Sequence, residues 1–501
     1  MGVAVLTMRV WGVSEHFWLL RDQTRDWALV LSDFRDLPLV GPATHVDGYT
    51  IGPAFYWILW LLRHIFGPFF EDLPHAGGIG QAVLQTVVDC GLLLAIWKRL
   101  RSPWTAFAAA LLIATASYDL SLAQLVWNPT MGSTLAKLAL ALIISDWYRA
   151  SWWRAMLTVA VAWMAVHAYT GAIFVAVTVC VVVVLQPLLP GETGRDLPRR
   201  QKVRDASVRA GVAVAAIVLL QLPYLLYQVQ NRFGDRAMGA VTDSVGAILT
   251  GEASPAFAAS FHGYFAAMDL LQLRPAMNQG SVWLLAIAAA IILVRFRHDP
   301  VLLAVCLLPQ ALALVGFAFF LGALDHYYYL SLMTPAVLTV VLAVTSWLPT
   351  KPRPAAIAGA HFTDTGYWFR VPVNAPITYG NIGVKSRDLL LMETDPRWTR
   401  SAARLGGKLI GVTRSSGSRA KPEVVLARVA PDEDDLVNRT EGVTALFNVT
   451  LYVEKERSVT GYLVLPGEPA AVAAVAAERG GEVVSVDQLV AVAVNWCRPS
   501  W

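Results

Sequence analysis

The sequence predicts a polytopic α-helical membrane protein of about ten transmembrane helices, with a small α+β domain at its C-terminal end. Three observations predict it. The 501 residues are 56% hydrophobic and 15% charged, whereas soluble domains carry about 25% charged residues, and mean hydropathy is +0.51. Long apolar runs recur up to residue 347 and stop there. Basic residues gather in every second connection between those runs.

The apolar start, 1–13, is shorter than the roughly 20 residues a spanning helix needs. It leads into Trp18-Leu-Leu-Arg-Asp22 without a small-residue cleavage site, so a truncated or partly embedded helix is expected rather than a removable leader. Runs able to span follow at 79–97, 103–121, 130–146, 153–169, 171–189, 208–227, 281–296, 300–322 and 328–347. The connections Lys98 to Arg101, Arg149 to Arg154, Arg195 to Arg209 and Arg295 to Arg297 are basic and, by the positive-inside rule, face the cytoplasm.

The outer side then receives 14–78, the Asn128-Pro129 connection, the His167 to Tyr169 junction, the 228–280 loop and the Asp325-His326 turn. In the first outer loop, 23–34 reads as a short helix, and Gly41-Pro42 and Gly52-Pro53 read as turns. Pro53 suits the first turn of a second helix reaching Phe66, whose aromatic residues fit the membrane interface.

After Trp347, Leu348-Pro-Thr-Lys-Pro-Arg-Pro354 reads as a linker between a transmembrane domain, 1–349, and a soluble domain, 355–501. Strand-like stretches at 424–429, 447–454, 461–465 and 482–486, with an Ala-rich helix at 469–479, suggest an α+β module ending in a βαβ-like unit. An even span count places it in the cytoplasm. The net charge of +4 is too small for a nucleic-acid binder. The four cysteines lack CxxC or His spacing, so neither a zinc site nor a disulfide framework is indicated.

The residues with chemical potential lie mostly on the outer side. Asp22 and Asp26 are four apart, as are Arg21 and Arg25, so on a helix the acids share one face and the arginines the next. A carboxylate there can act as general base toward a hydroxyl while arginines hold a phosphate. The competing reading is a solvated juxtamembrane helix with salt bridges.

Asp89 sits in the middle of a spanning run and must be paired, protonated or facing a wet cavity. Lys137 is its candidate partner. Asp119, near the outer end of its run, can line the outer cavity beside Asp325-His326 or snorkel to the interface, and Asp47 is a weaker second acid that also suits a turn.

In order along the chain, Arg21-Asp-Gln-Thr-Arg-Asp26, Leu37-Pro-Leu-Val-Gly-Pro42 and Tyr49-Thr-Ile-Gly-Pro-Ala-Phe-Tyr-Trp57 resemble the first outer loop of GT-C glycosyltransferases. The similarity is to the branch holding protein O-mannosyltransferases and the aminoarabinose transferase that modifies lipid A. It continues through Leu125-Val-Trp-Asn-Pro129, Leu222-Pro-Tyr-Leu-Leu-Tyr227 with Asn231-Arg-Phe, and His326-Tyr-Tyr-Tyr-Leu-Ser-Leu-Met-Thr-Pro335.

The resemblance implies a multi-span enzyme that moves a sugar from a polyprenyl-phosphate donor to an acceptor hydroxyl on the outer face, with inversion. Asp22 stands where the family has its catalytic aspartate. Arg21, Arg25, Arg232, His167 and His326 are the candidates for the donor phosphate, and Asp26, Asp47, Tyr56, Asp119, Asn128, Tyr169 and Tyr327 for the cavity lining. Gln23 replaces the family's Glu, Ile51-Gly-Pro53 replaces a Lys-Pro-Pro, and Asn128 replaces an acid before Pro129. These departures argue against a bound divalent metal, and no cofactor is assigned.

The implied partners are the polyprenyl-phosphate sugar, a glycan, lipid or protein acceptor, and the bilayer. Ala, Gly, Val and Arg richness suggests a bacterial inner membrane, with the site on the periplasmic or extracellular side. Two other readings compete. A lipid-glycan transporter or flippase would use Asp89 and Lys137 as its pathway, although no internal repeat supports it. A noncatalytic relative would bind glycan or lipid without turnover.

Overall fold

The computed structural model describes residues 1–10, 17–20, 26, 29–30, 33–44, 48–69, 73–116, 119–120, 122–123, 126–189, 198–236, 239–271, 280–322, 324, 326–347, 381–384, 425–428, 446–453 and 457–464. Among these residues there are thirteen α-helices. The first seven are α1 Gly2–Val10, α2 Ala54–Phe66, α3 Leu73–Leu100, α4 Pro103–Ala114, α5 Asn128–Ile144, α6 Trp152–Ala168 and α7 Ile173–Leu185. The remainder are α8 Arg199–Gln230, α9 Gly239–Leu249, α10 Phe257–Leu271, α11 Gly280–Arg295, α12 Pro300–Ala318 and α13 Met333–Trp347.

Each apolar run contains a helix, and five helical segments are long and apolar enough to cross a membrane: Gly77–Leu100, Thr170–Leu188, Arg199–Gln230, Pro300–Ala318 and Tyr327–Ser346. Helix α5 lies at the centre and is buried along nearly its whole length.

The basic connections also supply the caps that start the next helix. Ser102 accepts from the Thr105 N–H with Pro103 opening α4, Ser151 accepts from the Arg154 N–H at α6, and Asp299 accepts from the Leu302 N–H with Pro300 opening α12. These side chains satisfy amides that a helix start leaves without partners.

The same connections are drawn together at one end of the bundle. Arg99 donates from Nη2 and Nε to Asp299 at 2.5 and 2.8 Å and from Nη1 to Asp146 at 2.8 Å. Lys98 Nζ donates to the Ser145 carbonyl at 2.8 Å. Arg209 of α8 donates to Gln186 at 3.0 Å and lies 5.6 Å over the Tyr148 ring.

Four expectations change in detail. Helix α4 stops at Ala114 rather than continuing to 121. Thr115 Oγ1 bonds back to the Leu111 carbonyl at 2.7 Å, and Asp119 beyond it is held inside the bundle by cations. Helix α8 begins at Arg199, so its first turns carry the basic stretch rather than leaving it in a connection. The 228–280 loop contains α9 and α10. Helix α10 belongs to the bundle: Ser260 Oγ donates to the Leu314 carbonyl at 2.8 Å and Tyr264 hydrogen-bonds Gln310. In the first outer loop, Pro53 is the residue before α2 rather than within its first turn, and 23–34 lies mostly outside the described residues.

In the C-terminal region, β3 Val425–Arg428, β4 Leu446–Val453 and β5 Arg457–Val464 form an antiparallel sheet in the order β3-β5-β4. Strand β5 begins earlier than expected because it pairs with all of β4, from Val453↔Arg457 to Leu446↔Val464. The expected helix 469–479 and strand 482–486 lie outside the described residues. A separate pair joins β1 Phe17–Leu20 to β2 Asn381–Val384, antiparallel from Phe17↔Val384 to Leu20↔Asn381. It ties the C-terminal region to the segment leading into Asp22, whereas span parity alone sends the chain after Trp347 to the basic end.

Candidate functional site

The end opposite the basic connections is where α5 begins, α6 ends, and the short 3-10 turn His326–Leu332 leads into α13. Asn128, at the start of α5, donates to the Ala168 carbonyl at 3.3 Å, holding the α5 and α6 ends together. Beside it the rings of Trp127 and Tyr327 lie 5.4 Å apart, Tyr169 and Tyr327 6.2 Å, and Tyr327 stacks on Tyr328 at 4.9 Å. Asn128, Tyr169 and Tyr327 are therefore brought together at this end. Ser331 Oγ donates to the Gly171 carbonyl at 3.0 Å and fixes the turn against α6 and α7.

The first outer loop folds down onto this end. A β-carbon on Gly41 would lie 2.0 Å from Thr50 Oγ1, and one on Gly52 would lie 2.2 Å from His167 Nδ1. Only glycine permits that approach. His167 is fully buried, with Nε2 3.2 Å from Gln221 Oε1, an oxygen that also accepts from Trp163 Nε1 at 2.9 Å. Gln221 in turn donates to the Ile51 carbonyl at 2.7 Å. Since that oxygen is an acceptor, Nε2 carries the imidazole proton. The geometry makes His167 a support under the Ile51-Gly52-Pro53 turn.

Helix α2 places Tyr56 so that its hydroxyl donates to Asp26 at 2.9 Å, with both side chains buried. Two turns on, Arg63 donates to the Val30 carbonyl at 2.5 Å. Burial holds its guanidinium below the usual arginine value, and Asp33 opposes this. The far edge of the loop meets α8: the Tyr49 N–H donates to Asp235 at 3.3 Å, and the Tyr224 hydroxyl donates to the same carboxylate at 3.2 Å.

Deeper in the bundle, four charges from separate segments meet. Arg9 Nη2 lies 2.6 Å from Asp89 and 2.6 Å from Asp119, and Lys137 Nζ lies 2.7 Å from Asp89 and 3.0 Å from Asp119. Arg9 also donates to Thr86 Oγ1 at 3.0 Å and to the Ala114 carbonyl at 3.1 Å. The two acids and two bases balance. Gln81, Gln85 and Asp89 are spaced by four on one face of α3, opposite Thr130, Thr134 and Lys137 of α5. A polar seam thus runs between the two helices, with Gln81 donating to Thr134 at 3.3 Å.

The Asp89–Lys137 pair is the contact the sequence nominates; the structure adds Asp119 to it, a residue expected at the outer cavity. Arg9 is the residue the sequence reading misses; its signal is that it stands as the only charge in 1–13. Gln221, the other missed residue, carries no such signal.

Arg232 is exposed just beyond α8 in a left-handed conformation, φ 52°. Asp22, Arg21, Arg25 and Asp47 lie outside the described residues, as does the side chain of His326, whose backbone opens the 3-10 turn. Among the described residues, no group of three or more His, Cys, Asp or Glu side chains is assembled for a metal ion.

The class these features define is a mostly helical protein with several helices long and apolar enough to cross a membrane. No family model and no curated protein matches the chain. Among solved structures, similarity is found to the oligosaccharyltransferase of Archaeoglobus fulgidus. Its apo form and its complex with an inhibitory peptide and a dolichol-phosphate each have TM-score 0.43 and 12% identity, covering 81% of this chain and 57% of that one. Its complex with Zn and sulfate has TM-score 0.42 and 15% identity, covering 83% and 57%. The chain spans little more than half the length of those proteins. At these scores neither their activity nor their ligands transfer to it.

Proposed function

We propose that the chain is a GT-C-like membrane glycosyltransferase that takes a sugar from a polyprenyl-phosphate donor and passes it, with inversion, to an acceptor hydroxyl at the outer face. The supporting observation is convergence. Motifs scattered along the sequence, at 41–57, 127–129, 167–169, 224–235 and 326–331, meet at one end of the bundle, opposite the end that holds the basic connections. By the positive-inside rule, the basic end is cytoplasmic and the motif-bearing end periplasmic or extracellular.

In this reading Asp22 removes the acceptor proton as the hydroxyl oxygen attacks the anomeric carbon and the lipid phosphate departs. Arg21, Arg25, Arg232 and His326 hold the phosphate charge as it develops. Span parity would send 355–501 to the cytoplasm; the β1–β2 pairing, which sets 381–384 beside the segment leading into Asp22, argues for the outer side instead.

The test is transfer of radiolabelled sugar from a panel of polyprenyl-phosphate donors in membranes carrying the wild type or Asp22→Asn. Donor-dependent labelling that falls at least a hundredfold in the variant supports the assignment. Labelling unaffected by the substitution removes Asp22 from this role.

The buried Arg9–Asp89–Asp119–Lys137 cluster favours the second reading, a lipid-glycan transporter, because ionisable groups inside a membrane commonly mark pathways. Donor movement across proteoliposomes without transfer would support that alternative.

A further inference from the structure

The basic end carries a second surface that sugar transfer does not use. In 98–101, 145–154, 199–209 and 295–299 there are twelve Lys and Arg residues against three Asp. Two of those acids, Asp146 and Asp299, are already taken up by Arg99, and Asp146 also accepts from Arg149. The end is therefore strongly positive beyond what its own carboxylates neutralise.

Within it, Arg154 is held in a particular way. Its guanidinium lies 5.4 Å over the Trp147 ring and 5.2 Å over the Trp153 ring, and those two rings meet edge to face at 5.5 Å and 89°. Among the described residues no carboxylate pairs with it, and its buried Nε has no hydrogen-bond partner. It also sits in the first turn of α6, where the helix dipole disfavours a cation. Alongside, Trp152 and Trp153 are 62% and 42% exposed. Tryptophans exposed beside arginines at the end of an apolar bundle belong at the headgroup level of a bilayer.

We propose that the surface around Arg154, at the basic end of α6, binds the phosphate of an anionic phospholipid headgroup, with Trp152 and Trp153 seated in the interface beside it. The planar guanidinium, held against the two rings, offers paired Nη donors of the kind that fit a phosphate. The surrounding positive charge favours an anionic lipid over a zwitterionic one. The site rests on the membrane reading alone and stands or falls independently of Asp22.

The test uses the full chain in detergent micelles, with thermal unfolding followed as phosphatidylglycerol, phosphatidylcholine or inorganic phosphate is added. Wild type, Arg154→Gln, Arg154→Lys and a control at the opposite end of the bundle, the exposed Arg236→Gln, are compared. Phosphatidylglycerol is expected to stabilise the wild type and the control more than phosphatidylcholine does. Its apparent affinity should fall about fivefold in Arg154→Gln, the factor that corresponds to one juxtamembrane charge, and recover partly in Arg154→Lys. Equal stabilisation by the two lipids, an undiminished response in Arg154→Gln, or an equal effect of inorganic phosphate would overturn the proposal.

Discussion

The Arg9–Asp89–Asp119–Lys137 cluster and the Arg99–Asp146–Asp299 clasp each join separate segments through charge, but in different surroundings. In the cluster the side chains are 0–3% exposed, and in the clasp they are 9–34% exposed. Charges in the clasp keep water on one side, so their mutual attraction is screened and their separation is cheap. Charges in the cluster have given up hydration altogether and depend on one another. Similar distances therefore imply unequal consequences.

The largest effect is expected from Lys137→Met, which leaves two carboxylates facing one guanidinium. A loss of about 3–5 kcal/mol is expected, the range for breaking a buried pair, read as a lower unfolding midpoint in detergent. Adding Asp89→Leu should restore at least half of that loss, since Arg9 and Asp119 then balance; no restoration would mean the four groups do not act as one electrostatic unit.

An uncharged reference comes from Gly52→Ala, whose new β-carbon would meet the His167 ring. About 1–3 kcal/mol should be lost, as for other overpacked sites, with no dependence on salt. A second change, His167→Ala, should relieve it.

The smallest effect belongs to Arg99→Gln. Partly exposed pairs contribute about 0.2–1 kcal/mol each, so a loss near that size is expected at low salt, shrinking at high salt. A large, salt-independent loss would erase the distinction between the two networks.

How much of this was legible depends on the range of the forces involved. Helix positions follow local hydropathy and caps, so α5, α6, α7, α12 and α13 fall close to where the apolar runs place them. Asp89 and Lys137 were legible as a pair because a charge in a spanning run demands a counter-charge. Arg9 was not, because a lone cation in a short apolar start resembles a flanking residue until Asp89 and Asp119 are seen around it.

The end of α4 was equally hidden. Nothing local after Ala114 is strongly helix-breaking, and the carboxylate that draws the chain inward finds its partners only in three dimensions. The role of Gly52 reads from sequence as a turn, whereas the structure shows it as a clearance for His167. The candidate base and its neighbouring arginines remain known by sequence alone.

Helix α4 has a consequence for the surrounding lipid. Its 12 residues rise about 18 Å, against a hydrocarbon layer about 30 Å thick. Trp104 and Phe107 on this helix are 54% and 39% exposed, so it has an outward apolar surface. Both stand in its first two turns, at the basic end, whereas Ile113 and Ala114 at its other end, and Thr115 and Ala116 just beyond, are buried. The shortness of α4 therefore asks for no thinning of the membrane: beyond its first turns the helix is sheathed by its neighbours, and lipid meets it chiefly beside the basic end.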